Sequence, residues 1–456
     1  MPHGKTSRIL WILLALIAVT ALAFAACDDD DDGGDGVTPA DGVTPPADGE
    51  TPAPSALGDV DVLGIWGGDE LESFQALLAP WEAETGGDVD FIGTRDLTAQ
   101  LTLNVEGGTP PDIALTAEVG LFREFARDGE LIPLSECSGL EDTVTANYPQ
   151  GFLDLGTVDG TLYGFFMKAD TKGTVWYNPS FFDENGYEPL TTDSSFADLV
   201  ALSDQILADG VVPPWSIGVE SGEASGWPGT DWIQQILLNE AGGDVYDGVI
   251  DGSIPITDPA VKAAWESFGE IALPEANTSQ GGATGINATG FIDGTLPPFE
   301  SPPEAALTYL GGFASGFITD AFPDAVPETD FNFFPFPGGG VTGGATLVYA
   351  FNSDETTCSF MSHLASAEAQ QIWVDRGGFT SVNTQVGLDS YPDAVARAQA
   401  EQLTQAELFR FDLDDAIGGA LQGAFFTGVT EYLADPGSLD AILAGIEASR
   451  ETEEEE

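Results

Sequence analysis

The chain has 456 residues and a formal net charge of −64, from 76 acidic and 12 basic side chains. That balance excludes ordinary nucleic-acid binding, which needs cationic surface to neutralise phosphates. A hydrophobic fraction of 43% excludes a disordered acidic protein and supplies core for two or three units of about 150 residues. A chain this anionic repels itself unless salt screens it, and the screening length falls to about 3 Å at 1 M. A saline or alkaline habitat is therefore expected.

Lys5 and Arg8 precede an apolar run, Ile9 to Ala26, that ends at Cys27. A charged start, an apolar stretch and small residues before a cut site describe an export signal over residues 1–26. The cysteine after Ala25-Ala26 resembles the bacterial lipoprotein box, with Phe24 where leucine is usual. That resemblance implies cleavage before Cys27 and diacylation of its thiol. Two acyl chains attach stably, since each buried methylene contributes roughly 0.8 kcal/mol. An uncleaved transmembrane helix and simple secretion are the alternatives. Residues 27–57 continue as an acidic Pro/Gly/Thr spacer with a degenerate repeat, which buries no core. Residues 451–456 read as a solvated acidic tail.

The folded region opens with alternating strands and helices. Val60 to Trp66 predicts a strand, and Asp69 with Glu72 predicts a capped helix stopping at Gly86-Gly87. Asp88 to Gly93 is the next strand, and Asp96 starts a helix carrying Leu97, Leu101 and Val105. Pro111 to Leu115 and Glu118 to Asp128 repeat the pair. Further strands are expected at Gly173–Tyr177 and Trp215–Val219, with helices at 194–208, from Thr230 and from Asp258. Phe331–Phe336 and Ala345–Phe351 are strand-like, and helices follow at 359–376 and 392–410. The rhythm predicts an α/β fold of parallel, doubly wound sheets, with ligand beyond the carboxyl ends of the strands. Cys137 and Cys358 could form a disulfide or remain two buried thiols.

Six segments occur in a familiar order: Gly64-Ile-Trp-Gly-Gly-Asp-Glu-Leu-Glu, Gly93-Thr-Arg-Asp, Gly107-Gly-Thr-Pro-Pro-Asp-Ile-Ala, Lys168-Ala-Asp-Thr-Lys-Gly-Thr-Val-Trp-Tyr-Asn-Pro, Gly226-Trp-Pro-Gly-Thr-Asp-Trp and Leu364-Ala-Ser-Ala-Glu-Ala-Gln. With them, residues 58–450 resemble the extracellular solute-binding proteins of carbohydrate ABC importers, of the maltose- and alpha-glucoside-binding type. In place of a polar-rich segment near residues 308–313 the chain carries Tyr309-Leu-Gly-Gly-Phe313. The resemblance implies a two-lobed, type II binding-protein fold with a hinge of several crossings. It implies a carbohydrate ligand in the cleft, and a membrane permease with a cytoplasmic ATPase as partners. Residues 58–175 plus 300–345 are expected to form the N-terminal lobe, and 176–299 plus 346–450 the C-terminal lobe.

A sugar presents apolar C–H faces and a rim of hydroxyls, so rings and carboxylates are the groups to seek. Trp66, Tyr177, Trp215, Trp227 and Trp232 fall at expected strand ends and loops, with Phe313 and Phe379 as further candidates. Trp81, Trp265 and Trp373 lie on amphipathic helix faces and are expected in cores, as is Trp176. Among the few cations, Arg95, Lys168, Lys172 and Arg376 fall in or near loops. There they can donate to hydroxyls or to orienting carboxylates, or form supporting salt bridges. Asp69, Asp96, Glu118 and Asp231 sit at strand-to-helix turns as acceptors, although the three aspartates suit helix caps equally. No nucleophile elbow, phosphate loop or metal-ligand spacing is present in the sequence. A cofactor-free, metal-free monomer held at the extracytoplasmic face of the cell membrane is expected. A non-sugar solute such as a polyol or peptide, or an extracellular glycoside hydrolase, are the competing readings.

Overall fold

The computed structural model describes residues 57–94 and 96–453. The export signal, Cys27, nearly all of the spacer, Arg95 and the last three residues therefore lie outside the described residues. No helix among the described residues is long and apolar enough to cross a membrane.

Thirteen strands are present among the described residues. In chain order they are β1 (Asp59–Gly64), β2 (Asp88–Gly93), β3 (Ile113–Thr116), β4 (Thr157–Val158), β5 (Thr161–Leu162), β6 (Gly164–Thr171) and β7 (Thr174–Tyr177). There follow β8 (Trp215–Ser216), β9 (Leu307–Tyr309), β10 (Asn332–Pro335), β11 (Gly340–Ala350), β12 (Thr380–Ser381) and β13 (Leu408–Phe411). A seven-stranded sheet runs β12-β6-β11-β3-β1-β2, with β13 also paired to β11. A four-stranded sheet runs β10-β7-β9-β8, and β4 and β5 form a small hairpin. Both larger sheets are mixed: β1 lies parallel to β2 and β3, while β11 is antiparallel to β3 and β6.

Each sheet carries its own core. Around the first, Val60, Phe74, Leu77, Trp81, Phe122 and Tyr349 are buried together with Trp373. Around the second, Trp215, Trp232, Tyr246, Trp265 and Phe268 are buried, and the helices Trp227–Ala241 and Pro259–Ala272 supply several of them. The far face of β7 is covered too, by a smaller cluster around Trp176, Phe331 and Ile318. Strands covered on both faces bury every residue, which explains why β3 and β11 show continuous buried runs.

The lobe boundaries differ from the expected ones. β9 and β10 belong to the second sheet, whereas β11 and β12 belong to the first. Residues from about 300 to 339 thus lie with the second lobe, and 340–411 with the first. The second lobe resumes with the helices Gly419–Ala434 and Leu439–Glu453, which pack on each other and on its core. The physical reason is that apolar strands advertise burial without naming their partners, which are chosen by long-range packing. Among the described residues the chain crosses between the lobes three times, at Thr171–Thr174, Pro335–Gly340 and Phe411–Leu413. They run side by side: Lys172 N–H donates to Thr342 O at 2.8 Å, and Asp412 N–H to Gly343 O at 2.9 Å.

Several local expectations also shift. Asp69 and Asp96 do not cap: the helix Gly68–Thr85 begins after Gly67 and Leu97–Glu106 after Asp96, both without a side-chain cap. Ser195 and Asp198 do form a reciprocal capping box for Phe196–Asp209, and Asp258 accepts from Ala260 N–H at 2.8 Å. Residues 392–410 divide into the helix Ala394–Gln405 and strand β13, with Arg410 clamped by both oxygens of Asp247. Cys137 and Cys358 form a disulfide, 5.1 Å between Cα atoms, within the first lobe.

Candidate functional site

A cavity of about 180 Å³ lies where the two lobes face each other beside the crossings. The first lobe contributes Ile65 and Trp66 beyond β1, Glu70 in the first helical turn, and Ala117 and Glu118 beyond β3. Lys168 and Asp170 come from β6, and Gly344 to Thr346 from β11. The second lobe contributes Ser221, Trp227, Asp231, Phe291, Phe313, Phe317, Gln422 and Phe426. Asp414 and Asp415 enter from the helix Leu413–Ile417, just past the third crossing. The placement at the carboxyl ends of β1 and β3 follows the general rule for ligands of α/β sheets.

Two buried lysines organise the polar floor. Lys168 Nζ lies 3.0 Å from both Glu70 and Asp170. Burial opposes its charge, but the two carboxylates outweigh that and raise its pKa. Lys172 Nζ, in the first crossing, contacts Asp231 at 2.8 Å and also binds Asp412, in the third. Asp412 is pushed up by burial, yet Lys172 and hydrogen bonds from Asp414 and Gln234 prevail and hold it near 2. Asp231 stays high, at about 7, because burial and the Asp412 charge outweigh its contact with Lys172. Its Oδ2 is buried with no hydrogen-bond partner among the described residues.

Glu118, Asp414 and Asp415 line the same space and form no ion pair with Lys168 or Lys172. Glu118 accepts from Thr98 Oγ1, and its Oε2 has no partner among the described residues. Asp414 accepts from Thr230 Oγ1, and Asp415 from Gln422 Nε2 at 2.9 Å. Burial first, and then neighbouring negative charge for the two aspartates, raises all three pKa values. The cavity is rich in hydrogen-bond acceptors, and those that hold protons can donate as well.

The wall opposite is aromatic. Trp227 stands edge-on to Phe291 at 5.1 Å, with Lys172 Nζ 5.5 Å from its ring centre. It lies in the first turn of the helix Trp227–Ala241, not in the expected loop, since Gly226 turns the chain at φ 114° and Pro228 fits the first helical turn. Phe313 is overlain by Lys168 Nζ at 5.5 Å.

Of the residues singled out from sequence, Trp66, Glu118, Lys168, Lys172, Trp227, Asp231 and Phe313 meet in this cavity. Trp66 lines it but is buried, packed between Phe74 and Trp373 at 4.9 and 4.7 Å. Four others are core residues away from it. Tyr177 packs on Phe182, Trp215 and Trp232 pack on each other, and Phe379 stacks on Trp373. Trp215 Nε1 donates to Ser203 at 2.8 Å, so it needs no ligand. Asp96 is exposed outside the cavity. Asp69 and Arg376 lie in a neighbouring groove of about 340 Å³ with Asp320 and Ser73. Sequence reasoning passed over Glu70, Asp170, Phe291, Phe317, Asp414, Asp415 and Phe426. The run Asp412-Leu-Asp-Asp415 directly after a strand was the available signal for two of them.

The model of the bacterial extracellular solute-binding proteins matches residues 76–402. The chain is 35% identical to the osmoprotective compounds-binding protein GgtB of Synechocystis sp., over 83% of this chain and 91% of that protein. It is 32% identical to the alpha-glucosides-binding periplasmic protein AglE of Rhizobium meliloti, over 85% of each. Among solved structures, a chitin oligosaccharide binding protein superposes with a TM-score of 0.75 at 17% identity, over 87% of this chain and 98% of that one. The family is one of binding proteins rather than enzymes. The chain belongs to the bacterial extracellular solute-binding proteins.

Proposed function

We propose that the protein captures a sugar, of the alpha-glucoside kind, between its lobes and delivers it to an ABC permease driven by a cytoplasmic ATPase. One observation carries the reading: a cavity bounded by both lobes joins aromatic rings to Glu118, Asp414 and Asp415, carboxylates with no ion pair among the described residues. Rings suit the C–H faces of a pyranose, and the acids accept from, or donate to, its hydroxyls. An anionic ligand would face an unfavourable surplus of acid. The names of GgtB and AglE support osmolyte-like and glucoside solutes. Binding would favour the closed arrangement of the lobes, which the permease reads. We place the protein at the extracytoplasmic face of the cell membrane, tethered through Cys27 and working as a monomer.

Titration of tryptophan fluorescence with glucose, maltose, sucrose and trehalose tests the proposal, because Trp66 and Trp227 border the cavity. Saturable shifts with at least one of them are expected. A flat response throughout, or turnover of a chromogenic glycoside, would contradict it.

A further inference from the structure

Four rings close on one another at the side of the cavity. Trp227 meets Phe291 at 5.1 Å, Phe291 meets Phe317 at 5.8 Å, Phe317 meets Phe313 at 5.9 Å, and Phe313 returns to Trp227 at 6.0 Å. Edge-on and tilted contacts at these spacings are mutually attractive, so the rings form a wall rather than four independent side chains.

The wall has two wetted sides. Phe313 and Phe317 line both the inner cavity, of about 180 Å³, and the outer groove, of about 340 Å³. Beyond it the chemistry remains suited to hydroxyls, with Asp69, Asp320 and Arg376 in the groove. The position of Phe313 is built in. A Cβ on Gly311 would stand 2.6 Å from Cε1 of that ring, so glycine there lets the ring lie against the backbone. Lys168 holds the ring from another side.

We propose that this wall limits ligand length, with Phe313 and Phe317 as specificity-determining residues. The inner cavity is smaller than the roughly 300–1,000 Å³ of pockets for drug-sized ligands. It suits a short glycoside, and the wall stops a longer chain from continuing into the groove. This rests on the sugar-binding reading above and adds the class of sugar.

The test compares wild type with Phe317→Ala and with Phe313→Ala/Phe317→Ala. Calorimetry measures the affinity of each for maltose and for maltotetraose, and thermal melting confirms that each is folded. Neither ring is fully buried, so the variants retain most of their core. In wild type the disaccharide is expected to bind at least tenfold more tightly than the tetrasaccharide. The double variant should close that gap at least tenfold by gaining affinity for the tetrasaccharide, with the single variant between. Equal affinities in wild type would overturn the inference even if the double variant failed to fold. So would a folded double variant whose ratio is unchanged while maltose still binds. Wild type that binds sucrose or trehalose but neither maltose nor maltotetraose would overturn this inference alone, and wild type that binds none of these sugars would remove the sugar-binding reading with it.

Discussion

Lys172 joins two of the three crossings, because its ammonium sits between Asp231 and Asp412 while its own residue belongs to the first crossing. A buried ion pair adds little net stability over an apolar replacement of the whole set, but removing one member leaves charge uncompensated. Lys172→Met should therefore destabilise the protein by about 3–5 kcal/mol in chemical denaturation. An unchanged midpoint would show that the Asp412 charge is neutralised by some other route. At this scale the sequence was informative at Glu118, just past β3, and at Lys168 and Trp227, which reach the cavity from within β6 and from the first turn of a helix. It misled for Tyr177, Trp215, Trp232 and Phe379, whose surroundings are supplied by segments far away in the chain. Strand-end position shows that a ring is near the ligand side. It does not show whether a second layer covers that ring.

Elements were legible in proportion to how local their determinants are. The strand Asp88–Gly93 and the helix ending at Gly86 follow from alternation and a glycine at φ 71°. The exchange of β9 and β10 with β11 and β12 between lobes was not legible, since each is a short apolar run with no partner written into it. The disulfide lay beyond sequence reasoning for the same reason, with 221 residues between its halves. It ties the segment after Leu134–Glu136 to the helix Glu355–Leu364, two parts of the first lobe that the chain visits far apart. Cys137→Ser/Cys358→Ser is expected to lower unfolding free energy by about 2–5 kcal/mol, and reductant should do the same to wild type alone. Denaturation curves that superimpose with and without reductant would assign the crosslink no role in stability.

Across the whole molecule, charge governs behaviour outside the cleft and proton binding governs it inside. Asp231, at about 7, holds its proton in the folded protein well above the roughly 3.9 of an unfolded aspartate. Between those values the folded state binds more protons, so stability falls as pH rises from about 4 to 7. Glu118, Asp414 and Asp415 act in the same direction. Asp412, held near 2, has the opposite sign: its stabilisation is complete above about 3.9 and is lost as pH falls toward 2. Melting temperature in molar NaCl should therefore fall from about pH 4 to 7, and Asp231→Asn should flatten that slope. A rising profile would contradict the protonation pattern. The same melts at low salt should lie lower throughout, given the net charge of −64.

The proposed function rests on one short saccharide binding in the cleft against Trp227. The most direct measurement is calorimetric titration of maltose, sucrose and trehalose into wild type and Trp227→Ala in molar NaCl. Wild type should give saturating heat with at least one of them. Trp227→Ala should bind that sugar at least tenfold more weakly, about 1.4 kcal/mol, at nearly unchanged melting temperature. No heat with any sugar, or equal affinity in the folded variant, would contradict the claim.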